Sequence, residues 1–426
     1  MGKIKEKLKQ ILRWTQKWTK IDMIYLAKGG FWLTFGQIVM AASDFALMIL
    51  LANFLPPEIY GAYRYILSIV AILILFSLSG MNTAIIQAVS RGFEGSVSKG
   101  LKERIKWGAI GSIASIGFAI YYWYLGNWEY ASIFFSVAAF IPFIDSFNLY
   151  KGVLVGRKEF KSLSLYNIVF LIGFTIVLGL TIFFTDKILF IFLVYFIYNA
   201  LLPLLFYLHL RKQKPFNDAA DPKTVSYGKH LSLMGVLGNI ANQLDKVLIF
   251  QFLGPVEVAI YSIAISPIQQ LKTRYLVNLN NLVLPKITNR NISELKKSIP
   301  MKLLMFFIIL AVITALYILL VPYIYKIIFP QYPESVIYSQ IFGLSLLVYP
   351  TMLITNVLVA KSRNKELYIT RFINPIIKII LLIILVPLYR IWGAIIAVIF
   401  TEFLSSLILL FFFMKLEPEN KECDII

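Results

Sequence analysis

The chain has 426 residues, of which 59% are hydrophobic and only 15% charged, with a formal net charge of +19. That leaves too little polar surface to coat a soluble fold of this length, so composition points to the bilayer and the positive charge needs no nucleic-acid partner. A single cysteine, Cys423, excludes an intrachain disulfide.

The first twenty residues are too basic, and lack the apolar core, to form a signal peptide. Ile4, Leu8, Ile11, Leu12, Thr15 and Trp18 share one helical face with lysines around the other. This reads either as an interfacial helix on anionic lipid or as a basic tail that only signals topology. Apolar stretches long enough to cross about 30 Å of hydrocarbon then recur along the chain. The first set is predicted at 31–54, 62–89, 107–126, 130–155, 162–184 and 187–210. A second set is predicted at 230–253, 257–284, 301–329, 335–360, 370–389 and 391–414. The expected fold is an all-α polytopic membrane protein of about twelve transmembrane helices. Its predicted segments are a basic N-terminus (1–28), a six-helix bundle (29–212), a connector (213–229), a second bundle (230–414) and a tail (415–426).

Basic residues test this map. Of the 41 Lys and Arg, 32 fall in the N-terminal segment, the even-numbered loops (Arg91, Arg104 and Arg157 among them) and the tail. Three, Lys187, Lys326 and Arg390, fall in the opposite loops. The positive-inside rule places both termini in the cytoplasm of a cell (inner or plasma) membrane protein.

The second set echoes the first. Asn53-Phe54-Leu55-Pro56-Pro57, followed by Tyr63, matches Gln251-Phe252-Leu253-Gly254-Pro255, followed by Tyr261. Val153-Leu154-Val155-Gly156-Arg157 matches Val357-Leu358-Val359-Ala360-Lys361 at the end of the fourth span of each set. Six spans per half is an even number, so the halves are pseudo-symmetric about an axis along the membrane normal, as in rocker-type transporters.

Leu50-Leu51-Ala52-Asn53-Phe54-Leu55-Pro56-Pro57-Glu58-Ile59-Tyr60-Gly61-Ala62-Tyr63 and Ser79-Gly80-Met81-Asn82-Thr83-Ala84 carry a family likeness, with Gln243-Leu244-Asp245-Lys246 and Phe252-Leu253-Gly254-Pro255 in the second half. The pattern resembles the polysaccharide-exporter (Wzx-type) branch of the multidrug/oligosaccharidyl-lipid/polysaccharide (MOP) flippase superfamily. The resemblance implies two six-helix bundles forming a V around a central cavity. It also implies flipping of undecaprenyl-diphosphate-linked oligosaccharide, with glycosyltransferases and a polymerase of the same pathway as partners. No cofactor is expected beyond a coupling H⁺ or Na⁺.

Charges inside a bilayer are expensive and mark function or pairing. Those within the predicted spans are Asp44, Arg64, Asp145, Lys151, Asp245, Lys246, Lys272, Arg274, Lys378 and Glu402. Span seven has a polar stripe of Asn239, Asn242, Gln243 and Lys246, and span eight adds Gln269, Gln270, Lys272 and Arg274 beyond Pro267. Two adjacent helices this polar are expected to line a wet cavity. Lys272 and Arg274 are expected to meet a diphosphate from the inner leaflet, because charge-assisted contacts to phosphate are strong. Lys246 and Arg64 join them as cavity cations, although Arg64 reads equally as a headgroup anchor. Lys378 extends the patch or snorkels to the interface, and Lys151 is expected to snorkel. Asp44, Asp145, Asp245 and Glu402 either pair with these cations or carry the coupling ion.

His209 and His230 flank a cytoplasmic loop and are expected to be incidental. No metal site and no compact catalytic site on loops is expected, so the chain is read as a non-enzyme. A multidrug cation antiporter of the same superfamily is the alternative, and a membrane glycan polymerase, which would carry a large outer loop, is a third. The in-membrane list holds six cations against four acids, which favours anionic cargo.

Overall fold

The computed structural model describes residues 23–276, 287 and 290–416. The amphipathic face read at residues 4–18 and the tail cysteine lie outside these. Every regular element described is helical: α1 (Met23–Phe54), α2 (Pro57–Ile74), α3 (Met81–Ser90), α4 (Ser96–Tyr124), α5 (Trp128–Ile144), α6 (Leu149–Gly156), α7 (Phe160–Phe184), α8 (Ile188–Gln213), α9 (Lys223–Leu253), α10 (Pro255–Gln270), α11 (Ile292–Ile328), α12 (Ser335–Gly343), α13 (Met352–Ala360) and α14 (Asn364–Met414).

Eight helical stretches are long and apolar enough to cross a bilayer. Four more crossings bring the number to the predicted twelve. The α4 helix is diluted by Gly and Ser, α9 by its polar stripe, and α10 is short before its continuation. The fourth comes from α14, whose 51 residues would run about 75 Å as one rod, over twice the hydrocarbon thickness. Its backbone turns at Arg390 (φ 56°, ψ −135°), making two arms. That strained turn is held by an ion pair from Arg390 to Glu257 at 2.5 Å.

Four crossings are broken midway. A 3₁₀ turn at Leu75–Ser77 separates α2 from α3, and one at Ser146–Asn148 separates α5 from α6. The α10 helix widens into a π-helix at Leu271–Leu276, while 3₁₀ turns at Leu344–Leu346 and Tyr349–Thr351 divide α12 from α13. These are the second and fourth crossings and their counterparts six crossings later, so the internal repeat is visible in the backbone. Hydrocarbon supplies no partner for freed backbone groups, so side chains must. Pro267 cannot bond the Ile263 carbonyl, and the Tyr325 hydroxyl donates to it instead at 2.9 Å. Tyr349 donates likewise to the Lys272 carbonyl at 3.2 Å, and Arg104 Nε to the Ser77 carbonyl at 2.9 Å.

The chain forms two compact units. The first contains the described residues up to Met48 together with Phe76–Leu233; the second contains Ile49–Leu75 and the residues from Met234 on. The α2 helix, counted above with the first six crossings, packs along α10 in the second unit. Gly61 makes this possible, since a Cβ there would strike the Pro255 carbonyl. Gly254, with φ of 98°, supplies the turn that starts α10. The two halves of the repeated motif therefore touch. On α11, Leu304, Ile308, Val312 and Leu319 stand exposed, as lipid-facing side chains do.

In the first unit, the 91–96 loop is zipped to the connector after α8. Gly95 donates to the Ala219 carbonyl (2.8 Å), Asp221 N–H to Ser96 Oγ (3.0 Å), and Arg91 pairs with Asp221 (2.7 Å). Arg157 grips both Glu94 oxygens at 2.7 and 2.8 Å. The Arg157 guanidinium holds the Glu94 carboxyl below its usual 4.5. A carboxyl with a depressed folded value adds stability above its unfolded value and loses it as pH falls through the folded one. Replacing Glu94 with Gln is therefore expected to cost about 1–3 kcal/mol at neutral pH. The gap in thermal midpoint between wild type and Glu94→Gln should close as the pH is lowered from 5 to about 3. A gap that stayed constant over that range would remove the pair from the stability of this loop.

Candidate binding site in the second unit

The α9 helix brings its polar stripe into the second unit. Asp245 is 1% exposed and fully engaged: it accepts from the Tyr261 hydroxyl (2.7 Å) and the Lys246 N–H (2.8 Å), with Lys246 Nζ at 3.4 Å. A buried carboxylate held this way is a satisfied ion pair. Lys272 sits on the π-helical turn after α10 and is also buried. Its ammonium bonds both Glu402 oxygens at 2.9 and 2.6 Å and stands 5.3 Å over the Phe342 ring. Glu402, from the second arm of α14, keeps 36% of its side chain exposed.

Two cations lack such partners. Lys378, on the first arm of α14, donates to Asn242 Oδ1 at 3.1 Å. Arg64, on α2, is half-buried, and its Nε is buried without a hydrogen-bond partner among the described residues. Neither has a carboxylate within ion-pair distance among those residues. Lys246 lies within electrostatic reach of both Arg64 and Lys378, and Lys272 within reach of Lys378. Among the described residues the group thus sums to four cations, Arg64, Lys246, Lys272 and Lys378, against two acids, Asp245 and Glu402.

The remaining predicted lining is graded. Asn239 and Asn242 are exposed, while Gln243, Gln269 and Gln270 are half-buried. The Arg274 side chain lies outside the described residues. Asp44 and Asp145 belong to the first unit. Asp145 is bound there by Asn148 Nδ2 (3.0 Å) and by Arg104. Arg104, counted above as a loop cation, is 0% exposed and corrects that reading: it is a structural ion inside the first unit. No signal in the sequence separates it from its neighbours Lys102 and Lys106. Lys151 rests over the Tyr150 and Phe170 rings (5.8 and 5.4 Å). His209 packs on Tyr166, and His230 lines a cleft of about 970 Å³ with Gln87, Arg91 and Tyr227. Tyr261, Phe342 and Tyr349, which frame the two ion pairs, escape sequence reasoning because apolar spans are full of aromatic residues.

Discontinuous crossings with ionisable side chains beside the breaks are the arrangement that binding sites of membrane transporters use. Residues 26–289 match the profile of the family described as polysaccharide biosynthesis protein, and the chain belongs to that family. The fold is shared with solved MOP-superfamily structures. Lipid II flippase MurJ in an inward closed conformation aligns with TM-score 0.69 at 16% identity, over 91% of this chain and 88% of that one. An outward-facing MATE-family multidrug resistance transporter aligns with TM-score 0.61 at 13% identity, over 92% and 94%. A MOP transporter from Pyrococcus furiosus, reported with a binding pocket of reversed polarity, aligns with TM-score 0.59 at 12% identity, over 92% and 94%. A search of curated protein sequences finds no match.

Proposed function

We propose that the protein is a flippase moving polyprenyl-diphosphate-linked oligosaccharide from the cytoplasmic to the outer leaflet of the cell membrane, by ion-coupled alternating access. The observation that carries this reading is the charge of the second-unit group. Its two uncompensated positive charges equal and oppose those of a diphosphate diester. Arg64 and Lys378 are the cations without a carboxylate partner among the described residues and would take the two phosphates, in contacts strengthened by the low dielectric around them. Family membership and the flippase fold support a lipid-linked cargo. A multidrug cation exporter would need an acidic excess, which this group lacks. The basic loops support cytoplasmic termini, and the connector supports two bundles descended from one six-span repeat. Reconstitution into liposomes tests the function directly. A fluorescent polyprenyl-diphosphate glycan loaded in one leaflet should become accessible in the other only when the protein is present. Equal transfer by empty liposomes, or transfer of a cationic dye instead of the glycan, would sink the reading.

A further inference from the structure

In the first unit, the start of α9 meets α3 along one stripe and turns a second stripe away from it. Gly228 and Ser232 make the contact: Ser232 Oγ accepts from the Gly80 N–H at 3.0 Å, and a Cβ at Gly228 would press on Met81. Thr224, on the same side, reaches Ser96 Oγ at 3.4 Å. The neighbouring stripe, Lys223, Ser226, Tyr227 and His230, recurs at helical spacing and is exposed throughout. Gln87 and Arg91, a turn apart at the end of α3, are exposed as well. These two stripes wall the cleft of about 970 Å³, at the upper end of the roughly 300–1,000 Å³ that ligand sites occupy. Its walls are braced. Arg91 is fixed by Asp221 at 2.7 Å and by the Gln87 carbonyl at 3.3 Å, while half of its side chain stays exposed.

The charges of the lining decide what it would hold. Arg91 and Asp221 cancel as a pair, which leaves the single charge of Lys223 against the two of a diphosphate diester. The first turn of α9 is already capped, because Asp221 Oδ1 accepts from the Lys223 N–H at 3.0 Å. Phosphate therefore finds little here. What remains is the Tyr227 ring, 40% exposed, among neutral donors and acceptors from Gln87, Ser226 and His230. None of these four side chains has a hydrogen-bond partner among the described residues. A saccharide offers the complementary surface: C–H faces that lie on an aromatic ring, and a rim of hydroxyls that both donate and accept. Resting on the function proposed above, we infer that this cleft seats the glycan of the lipid-linked cargo, with Tyr227 under a sugar ring and Gln87, Ser226 and His230 on its hydroxyls. The outward N–H groups of Arg91 donate to the same rim. The cleft recognises the cargo by its sugars, as the second-unit cations recognise it by its phosphates.

Full-length protein in phosphatidylcholine nanodiscs tests this with three probes: bare geranylgeranyl diphosphate, and the same lipid carrying chitotetraose or maltotetraose. The readout, by calorimetry, is the affinity for each glycosylated probe divided by that for the bare one. Wild type is expected to favour at least one glycosylated probe by about tenfold or more, the worth of a stacked ring with one or two neutral hydrogen bonds. Tyr227→Ala should cut that preference by about threefold to tenfold, and Gln87→Ala/Tyr227→Ala should bring it close to one. Tyr227→Phe keeps the ring and should hold the preference within about threefold of wild type. A preference that survives in Gln87→Ala/Tyr227→Ala overturns the glycan seat and leaves the flippase reading standing. So does a wild type that binds all three probes equally. Variants that lose affinity for all three probes by one factor would assign the cleft to phosphate, from cargo or lipid headgroup, and overturn the sugar assignment. A wild type that binds none of the probes overturns the flippase reading, and the glycan seat with it.

Discussion

Replacing Arg64 and Lys378 together with alanine is expected to lower glycan translocation by at least about 100-fold, since each charge-assisted contact is worth about 1.5–3 kcal/mol and every 1.4 kcal/mol is tenfold. These are the two cations of the group with no carboxylate within ion-pair distance among the described residues. Removing them strips the cargo of its countercharge without stranding a buried acid, so the protein should fold and insert normally. The four-to-two balance of charges would fall to two against two, and the attraction for a diphosphate would be lost. Lys378→Arg keeps the charge and the reach to Asn242, and should stay within about threefold of wild type, the span of a contact whose geometry alone is altered. The measurement is the rate at which a fluorescent polyprenyl-diphosphate glycan changes leaflet in proteoliposomes, at matched protein density. Translocation by the double variant within about threefold of wild type would move the cargo site elsewhere, because a lost charge pair cannot cost so little.

Arg104→Met is expected to be the most destabilising single substitution in the first unit. The guanidinium is fully buried and answers two needs at once: the Asp145 carboxylate and the Ser77 carbonyl freed by a broken helix. Removing one partner of a buried pair leaves the other uncompensated and costs about 3–5 kcal/mol. The loss should appear as a clear drop in thermal midpoint in detergent, read by size-exclusion chromatography after heating. Adding Asp145→Asn removes the stranded charge, so the double variant should regain part of the loss. A double variant whose loss equals the sum of the two single losses would mean that Arg104 serves packing rather than pairing.

Much of the fold was legible because the bilayer imposes simple rules. Apolar length and the side on which lysines and arginines collect defined the crossings, and the structure reaches the same twelve. The breaks were legible only where proline announced them, as at Pro267. Those at Leu75–Ser77 and Ser146–Asn148 have no proline within the turn. What satisfies the first of them is a side chain from another helix, Arg104 on the Ser77 carbonyl, and that partner is invisible along the chain. The same applies to the site. The charged residues could be collected from sequence, but their pairing could not: Lys272 and Glu402 are separated by 130 positions, and Arg104 and Asp145 by 41. Lys272 was read as meeting a phosphate and Glu402 as pairing with a cation or carrying the coupling ion, and the structure joins the two. Arg104 was counted with the loops because hydropathy measures average environment, whereas burial is decided by one neighbour.

The broken crossings recur at equivalent points of the repeat, but the ions placed beside them do not. In the first unit an arginine from the third crossing is sealed against the break of the fourth, out of reach of water. In the second unit a lysine in the eighth crossing leans on a half-wet carboxylate of the twelfth. One joint is thus a welded seam and the other a latch. A substitution at the half-wet pair removes no contact of the sealed one.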